Sequence, residues 1–510
     1  MGILTITLLL PLVGAALIGL MATDEKSSKT IALVTSGAAL VTSLVAVSRY
    51  DVTAGGFQLT ESLVWIPSLG ASFTLSVDGI SLVLIVLTTF ITPLIVVASW
   101  EHTDRVNGFM AAFLVLEAAV IGVFSATDLL LFYVFFEFTL IPMYLIIGMW
   151  GGAQRRYAAV KFFLYTLAGG LMMLVAILWL YAQTGGTTFA YDAIRELSID
   201  AGAQRWLFLA FFVAFAVKVP LFPVHTWLPD AHTEAPTAGS VFLAAILLKM
   251  GGYGFLRFSL PLFPDATREL ALGTGTGFFS VPWILVLSVV GILYGAVVAL
   301  MQKDVKKLVA YSSVSHMGFV VLGIFALNLT SASAGVVQMI NHGLSTGALF
   351  LLIGFLYERR HTRQIAAFGG LAKRTPVFAG FFLVVALSSL ALPGLNGFVG
   401  EFPILLGTYQ TAPWAAILGA FGAVLAALYL LWAYQRVFHG PLEGADNENT
   451  TDLKPFEIGV MVPIVALIVA IGVYPKPLYD LVTPSVREVL STVQDVGPAG
   501  TVVPADATDQ

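Results

Sequence analysis

The sequence predicts an all-α polytopic membrane protein of about fourteen transmembrane helices, and three observations carry that reading. The chain is 58% hydrophobic and only 11% charged, against roughly a quarter charged for a soluble domain. Its apolar residues gather into runs of roughly twenty, the length that crosses a bilayer. Finally, Glu137, Lys218, Lys249 and Glu401 each lie deep inside such a run, where a charge costs at least ~2.5–3.5 kcal/mol on insertion scales. Charges persist at that depth when they pair, face a water-filled cavity or carry ions. Two acids and two bases in one bundle point to a path for protons.

In chain order the predicted spans are 2–21, 30–48, 77–99, 109–126, 128–149, 162–182, 206–224, 235–256, 280–301, 308–326, 333–356, 376–407, 412–435 and 456–475. The first has no basic residue ahead of it, unlike a secretory signal, and is read as a retained helix. An even number of spans puts both termini on one side. Loops after odd-numbered spans hold 16 Lys and Arg, whereas loops after even-numbered spans, with the C-terminal segment, hold 7. The positive-inside rule therefore places the odd loops in the cytoplasm and both termini outside. Residues 50–76 read as an ordered external loop, and the Gly-Pro-Ala-rich tail 497–510 as disordered.

Composition also excludes. With no cysteine the chain has no disulfide, no thiol chemistry and no Cys-ligated iron–sulfur cluster. It carries neither a phosphate-binding Gly-rich loop ending in Lys-Ser/Thr nor a His-Glu-x-x-His zinc pattern. The expected surroundings are the lipid bilayer, not nucleic acid.

Two spans should be broken. The seventh contains Lys218 followed by Pro220 and Pro223; each proline lacks an N–H and frees a carbonyl four residues back. The twelfth contains Pro393, Gly394, Gly397 and Gly400 just before Glu401. Non-helical backbone at membrane depth is tolerated where it is buried in protein or lines a cavity. The breaks lie five spans apart, an odd number. Spans 4–8 and 9–13 thus form two inverted five-helix repeats, with interrupted helices flanking a midplane site. The organisation that follows is residues 1–105 (three helices and the external loop), 106–257 (first repeat), 280–440 (second repeat), 441–480 (last transmembrane helix) and 497–510 (tail).

Glu137 follows Asp128 by nine residues, which is ~13 Å at 1.5 Å per residue and near midplane. Pro142 frees the carbonyl of Phe138 beside it. His316 sits among Ser312, Ser313 and Ser315 on span ten, and His342 follows Asn341 on span eleven. Six ionisable groups on six helices of one bundle form the candidate proton-transfer line. Histidine suits such a line because its unperturbed pKa is near 6.5. Glu117, on span four, could belong to the line or pair with a loop cation. His225, Asp230, His232 and Glu234 sit between spans seven and eight. Their spacing fits no zinc pattern, and capping span eight or gathering protons are their expected roles. Lys303, Lys306 and Lys307 read as a topology anchor, and Gly251-Gly252 as helix packing.

These residues resemble a known family. Leu228-Pro-Asp-Ala-His-Thr-Glu-Ala-Pro-Thr-Ala-Gly-Ser240, running on to Leu248-Lys249-Met250, is similar to the signature of the antiporter-like subunits of respiratory complex I. So are Lys303 to Gly318, Phe136-Glu137 with Ile141-Pro142-Met143, and Ile340-Asn-His342-Gly343. The resemblance covers about residues 105–440. Within the family it is nearest the M (mitochondrial subunit 4) type, with Glu401 where the L and N types and multi-subunit sodium/proton antiporters usually carry lysine. The chain also ends soon after span fourteen, without the long lateral helix of the L type.

The resemblance implies a fold of fourteen helices with inverted repeats, and a proton-pumping channel in the membrane arm of NADH:quinone oxidoreductase. It implies that Glu137 and Lys218 are a modulating ion pair and Lys249 the central transfer lysine. His316 and His342 would extend the relay to Glu401, the terminal group. It places FMN, iron–sulfur clusters and quinone in partner subunits, with no cofactor or metal here, and L-type and N-type subunits as neighbours. A subunit of a cation/proton antiporter or of a membrane-bound hydrogenase is the alternative.

Overall fold

The computed structural model describes residues 2–493; the tail read as disordered lies outside them. Among the described residues, thirteen helices are long and apolar enough to cross a membrane. They follow the predicted spans one by one, except the twelfth, which is delivered as two helices, Pro376–Ser389 and Asn396–Thr411.

The helices start where the sequence supplies a cap. Asp24, Asp78, Asp128, Asp200, Asp304 and Asn328 each stand just before a helix and accept from a backbone N–H in its first turn. Such caps satisfy donors that would otherwise be orphaned, each contributing ~1 kcal/mol. Burial then separates centre from rim. The most apolar windows of the eighth span (Thr237–Leu262) and eleventh span (Leu329–Arg360) are entirely buried, and that of the tenth (Val305–Phe325) is 94% buried. The sixth span (Arg155–Gln183) and Pro455–Val473 bury only 39% and 28%. Spans eight, ten and eleven are therefore the axis of the bundle.

Two departures from the expected layout lie at its ends. The stretch read as an external loop is a two-stranded antiparallel ribbon, β1 (Gln58–Ile66) and β2 (Ala71–Val77). Its turn is closed by Gly70 at φ 61°, where an added Cβ would strike the Thr187 carbonyl. The pattern was hidden because Leu63, Val64 and Trp65 are exposed, so no apolar face alternates with a polar one. Glu61 of β1 reaches the first helix (Ile3–Met21) and accepts from the backbone N–H groups of Gly2, Leu4 and Thr5 at 3.1, 2.7 and 3.1 Å. Asp128 ties the same ribbon to the fifth span by accepting from Ser72 N at 2.9 Å while capping Leu130 and Leu131. At the other end of the chain a further helix, Lys476–Ser491, follows the last span. Its Ser485 hydroxyl accepts from Gly79 N at 2.9 Å, at the start of the third span.

The broken spans differ in detail from the proline rule. The seventh ends as a helix at Lys218 and resumes as Trp227–Glu234. The carbonyl that Pro220 frees, Ala216 O, takes the N–H of Leu221 at 2.8 Å, and Val217 O takes the indole N–H of Trp227 at 3.0 Å. The region of His225 to Glu234 is thus the second half of the broken span, not a surface loop, and His232 is fully buried. In the twelfth span the interruption is residues 390–395, with Pro393 between Ala391 and Gly394 at φ 60° and 91°. Gly397 is not part of it. It lies in the following helix, where a Cβ would meet Ser388 O at 2.0 Å, so its role is close packing.

A buried line of acids, amines and imidazoles as the candidate functional site

The fifth span is kinked at Thr139, between Leu129–Phe138 and Leu140–Trp150. Glu137 sits just before the kink. Its carboxylate lies against Gly170 of the sixth span, where any Cβ would come within 1.7 Å of Oε1. Neighbouring Gly169 lies against the backbone of Ala214 on the seventh span. A pair of glycines therefore lets the sixth span press between the acid and the helix that carries Lys218.

Lys218 is buried, and its ammonium faces the rings of Phe136 and Phe162 at 4.9 and 5.8 Å, a cation–π setting. Its Nζ donates to Thr139 Oγ1 at 3.5 Å. The charged atoms of Glu137 and Lys218 stand farther apart than the 4.0 Å of an ion pair, and both carboxylate oxygens of Glu137 lack a partner. The expected ion pair is open in this structure, and the Thr139 hydroxyl is instead the polar partner of the lysine.

Lys249 lies at the centre of the eighth span, between two π-helical turns, Leu243–Leu247 and Phe255–Ser259. Such turns leave carbonyls outside the regular ladder and recur at functional sites. One is used directly: Lys249 Nζ donates to Ala244 O at 2.5 Å. The same ammonium lies 2.7 Å from His342 Nδ1. The packing glycines hold as read, with Gly251 against Phe215 and Val219 of the seventh span and Gly252 against Met339 of the eleventh.

From His342 the line crosses to His316, ring centroids 6.0 Å apart. His316 Nδ1 is 2.6 Å from Glu401 Oε1, and Tyr429 OH is 3.3 Å from His316 Nε2. Gln338 Nε2 donates to the same Glu401 oxygen at 2.9 Å. Beside the two rings is a cavity of about 10 Å3 lined by His316, His342, Ser345, Ser388 and Gly397, about the volume that one water requires. The broken twelfth span forms its wall, and Asn396 O accepts from Asn341 Nδ2 at 2.7 Å. Of the serines on span ten, Ser313 bonds Val309 O in its own helix, Ser315 bonds Ile292 O on the ninth, and Ser312 pairs with Tyr429.

Lys249, His342, His316 and Glu401 are thus brought together, with Glu137 and Lys218 near the fifth-span kink. Glu117 stands apart. It is wholly buried, both carboxylate oxygens are unpartnered, and no loop cation reaches it. His225 stacks on Phe222 and His232 on Phe350. Among the described residues no group of three or more His, Cys, Asp or Glu could hold a metal. Sequence reasoning missed Thr139, Gln338 and Tyr429, single polar residues whose facing direction no periodicity reveals. It also took Lys306 for an anchor, although that side chain is buried and donates to Ala235 O at 2.6 Å.

Comparison with known proteins bears on this arrangement. A family profile described as NADH:quinone oxidoreductase/Mrp antiporter, TM, matches residues 126–426, and one described as NADH-ubiquinone oxidoreductase chain 4, amino terminus, matches residues 6–127. NADH-quinone oxidoreductase subunit M of Rhodobacter capsulatus is 45% identical, covering 96% of both chains. The protein of the same name from Mycobacterium tuberculosis is 41% identical, covering 98% of this chain and 96% of that one. A chain of respiratory complex I from Thermus thermophilus superposes with a TM-score of 0.87 at 33% identity, covering 96% of this chain and 99% of that one. A chain of an archaeal membrane-bound sulfane sulfur reductase superposes at 0.81 and 27% identity, covering 93% and 76%.

Proposed function

This chain belongs to the NADH:quinone oxidoreductase/Mrp antiporter family of membrane subunits, and we propose from that premise that it moves protons in the membrane arm of NADH:quinone oxidoreductase without doing redox chemistry itself. FMN, iron–sulfur clusters and quinone are assigned to partner subunits, and L-type and N-type subunits to its two flanks. Sixteen basic residues in the odd loops against seven in the even loops and C-terminal segment support periplasmic termini and transfer from cytoplasm to periplasm. The two interrupted spans, five apart, support fourteen crossings arranged as inverted repeats.

The observation that carries this reading is the run of short contacts across the bundle axis: Lys249 to His342 at 2.7 Å, and His316 to Glu401 at 2.6 Å. Imidazole can both accept and release a proton near neutral pH, so each ring can take a proton on one nitrogen and release it from the other. A neighbouring subunit that changes the Glu137–Lys218 separation changes the field on Lys218, and bringing the acid close favours the charged amine. Drawing them apart releases its proton through bridging water toward Lys249, and from there past the two histidines to Glu401.

The test is the proton-to-electron ratio of the assembled complex in liposomes. Glu137→Gln and Lys218→Ala should each lower it while subunit content stays intact. A wild-type ratio in both ends the reading. The likeness to a membrane-bound sulfane sulfur reductase subunit, and the antiporter half of the family description, favour one second reading, a cation/proton exchange subunit in another membrane complex. It predicts cation-dependent transport by the isolated subunit.

A further inference from the structure

The half-helix that carries Glu401, Asn396–Thr411, contains Pro403. Proline has no N–H, so the helical bond from residue 403 back to the carbonyl of Val399 cannot form. Glu401 sits midway in that unclosed turn. The carbonyl is not left bare. Tyr479, in the first turn of the helix that follows the last span, donates its hydroxyl to Val399 O at 2.8 Å. A side chain from another element thus supplies the bond that the half-helix lacks, beside the acid at the end of the candidate line.

Tyr479 is itself held in place. Gly472, near the end of Pro455–Val473, packs on the interruption of the twelfth span, where an added Cβ would come within 2.4 Å of Gly394 O and Leu395 Cα. Between Gly472 and Tyr479 stand Pro475 and Pro477, whose rings fix φ and stiffen the elbow. Beyond it, the helix is fastened to the first half of the molecule. A Cβ on Gly79 would meet Leu481 O at 1.9 Å, Glu488 accepts from Gly56 N at 3.1 Å, and Arg268 donates to Val493 O at 2.7 Å. The tyrosine hydroxyl therefore arrives on a rigid arm. Toward the eleventh span, Gly400 lets the half-helix close on Gln338, whose Oε1 a Cβ would meet at 2.2 Å. Helices bend most readily at proline, and a bend here would move Glu401 away from His316, which it meets at 2.6 Å.

We infer that Tyr479 is a positioning residue for Glu401: by closing the turn that Pro403 leaves open, its hydroxyl fixes the half-helix and holds the carboxylate against His316. The tyrosine carries no proton itself. The inference rests on the relay proposed above, in which Glu401 is the terminal group, so its test includes a relay variant.

Tyr479→Phe removes the hydroxyl and keeps the ring. In the purified complex in liposomes it should retain NADH:quinone electron transfer and lose protons per electron, part of the way to the Glu401→Gln value. Pro403→Ala supplies the missing N–H, so the half-helix can close its own turn. In a Pro403→Ala background, Tyr479→Phe should cause no further loss, a rescue that a merely structural tyrosine would not show. A wild-type ratio in Tyr479→Phe beside a lowered ratio in Glu401→Gln overturns the tyrosine's role and leaves the relay standing. A wild-type ratio in both overturns the two together. An equal loss from Tyr479→Phe with and without Pro403 means that the hydroxyl acts elsewhere, and overturns the inference as well. If Tyr479→Phe blocks assembly, the paired variant decides. Assembly with the ratio of Pro403→Ala alone supports the inference, and failed assembly or a lower ratio overturns it.

Discussion

His316 and Glu401 come from the tenth span and the second half of the broken twelfth, and their side chains meet 2.6 Å apart in the interior of the bundle. Glu401 also holds the amide of Gln338, while its second oxygen has no partner. The carboxylate is therefore the hub of three helices. Glu401→Gln preserves volume and one hydrogen bond but removes the charge. The complex should assemble with Glu401→Gln and its proton-to-electron ratio should fall. Glu401→Ala strands both partners, a change that in buried pairs costs ~3–5 kcal/mol, and should lower the thermal midpoint of the complex as well.

Gly170→Ala should act on Glu137 without touching the line's chemistry. The new methyl would lie within 1.7 Å of the present Oε1 position, so the carboxylate must move. Electron transfer should survive in Gly170→Ala while pumping drops several-fold. Gly169→Ala instead presses on the backbone of Ala214 and should chiefly destabilise. Comparing proton flux with thermal midpoint for the two variants separates these effects.

Asp78 and Arg257 form a buried ion pair at 2.5 Å, with Ser81 and Tyr253 alongside. Asp78→Ala alone should cost ~3–5 kcal/mol, because it leaves a charge without its partner. Removing both charges together should cost much less. A double-mutant cycle read by thermal unfolding of the complex measures the difference.

Tyr429→Phe removes a hydroxyl that pairs with Ser312 at 2.8 Å and stands 3.3 Å from His316. A loss of ~0.5–1.5 kcal/mol is expected, the usual net value of one neutral hydrogen bond. Proton flux should change less than in Glu401→Gln, since His316 keeps its contact with the acid. Parallel melting and flux measurements check both halves.

Much of this molecule could be read from residues alone, and the parts that could not share a cause. Apolar runs alone gave the helices, because a bilayer leaves the backbone few other ways to satisfy its hydrogen bonds. Lys218 before Pro220 marked one break, and Pro393 before Gly394 the other. That Lys249 touches His342, or that His316 touches Glu401, depends on how four helices rotate about their axes, which no single segment encodes. Gly397 was taken for part of a break because its need for close packing against Ser388 looks the same in sequence as a need for unusual φ. Lys306 hid among Lys303 and Lys307, and only burial tells it from them.

The carboxylate of Glu61 gathers three amide hydrogens from the opening turn of the first helix. That turn cannot fray unless the ribbon bearing the acid lets go. Amide exchange at residues 2–5 is therefore a gauge of the distant hairpin. Whatever loosens those strands, a lost neighbour or a harsh detergent, should register first at the amino end of the protein.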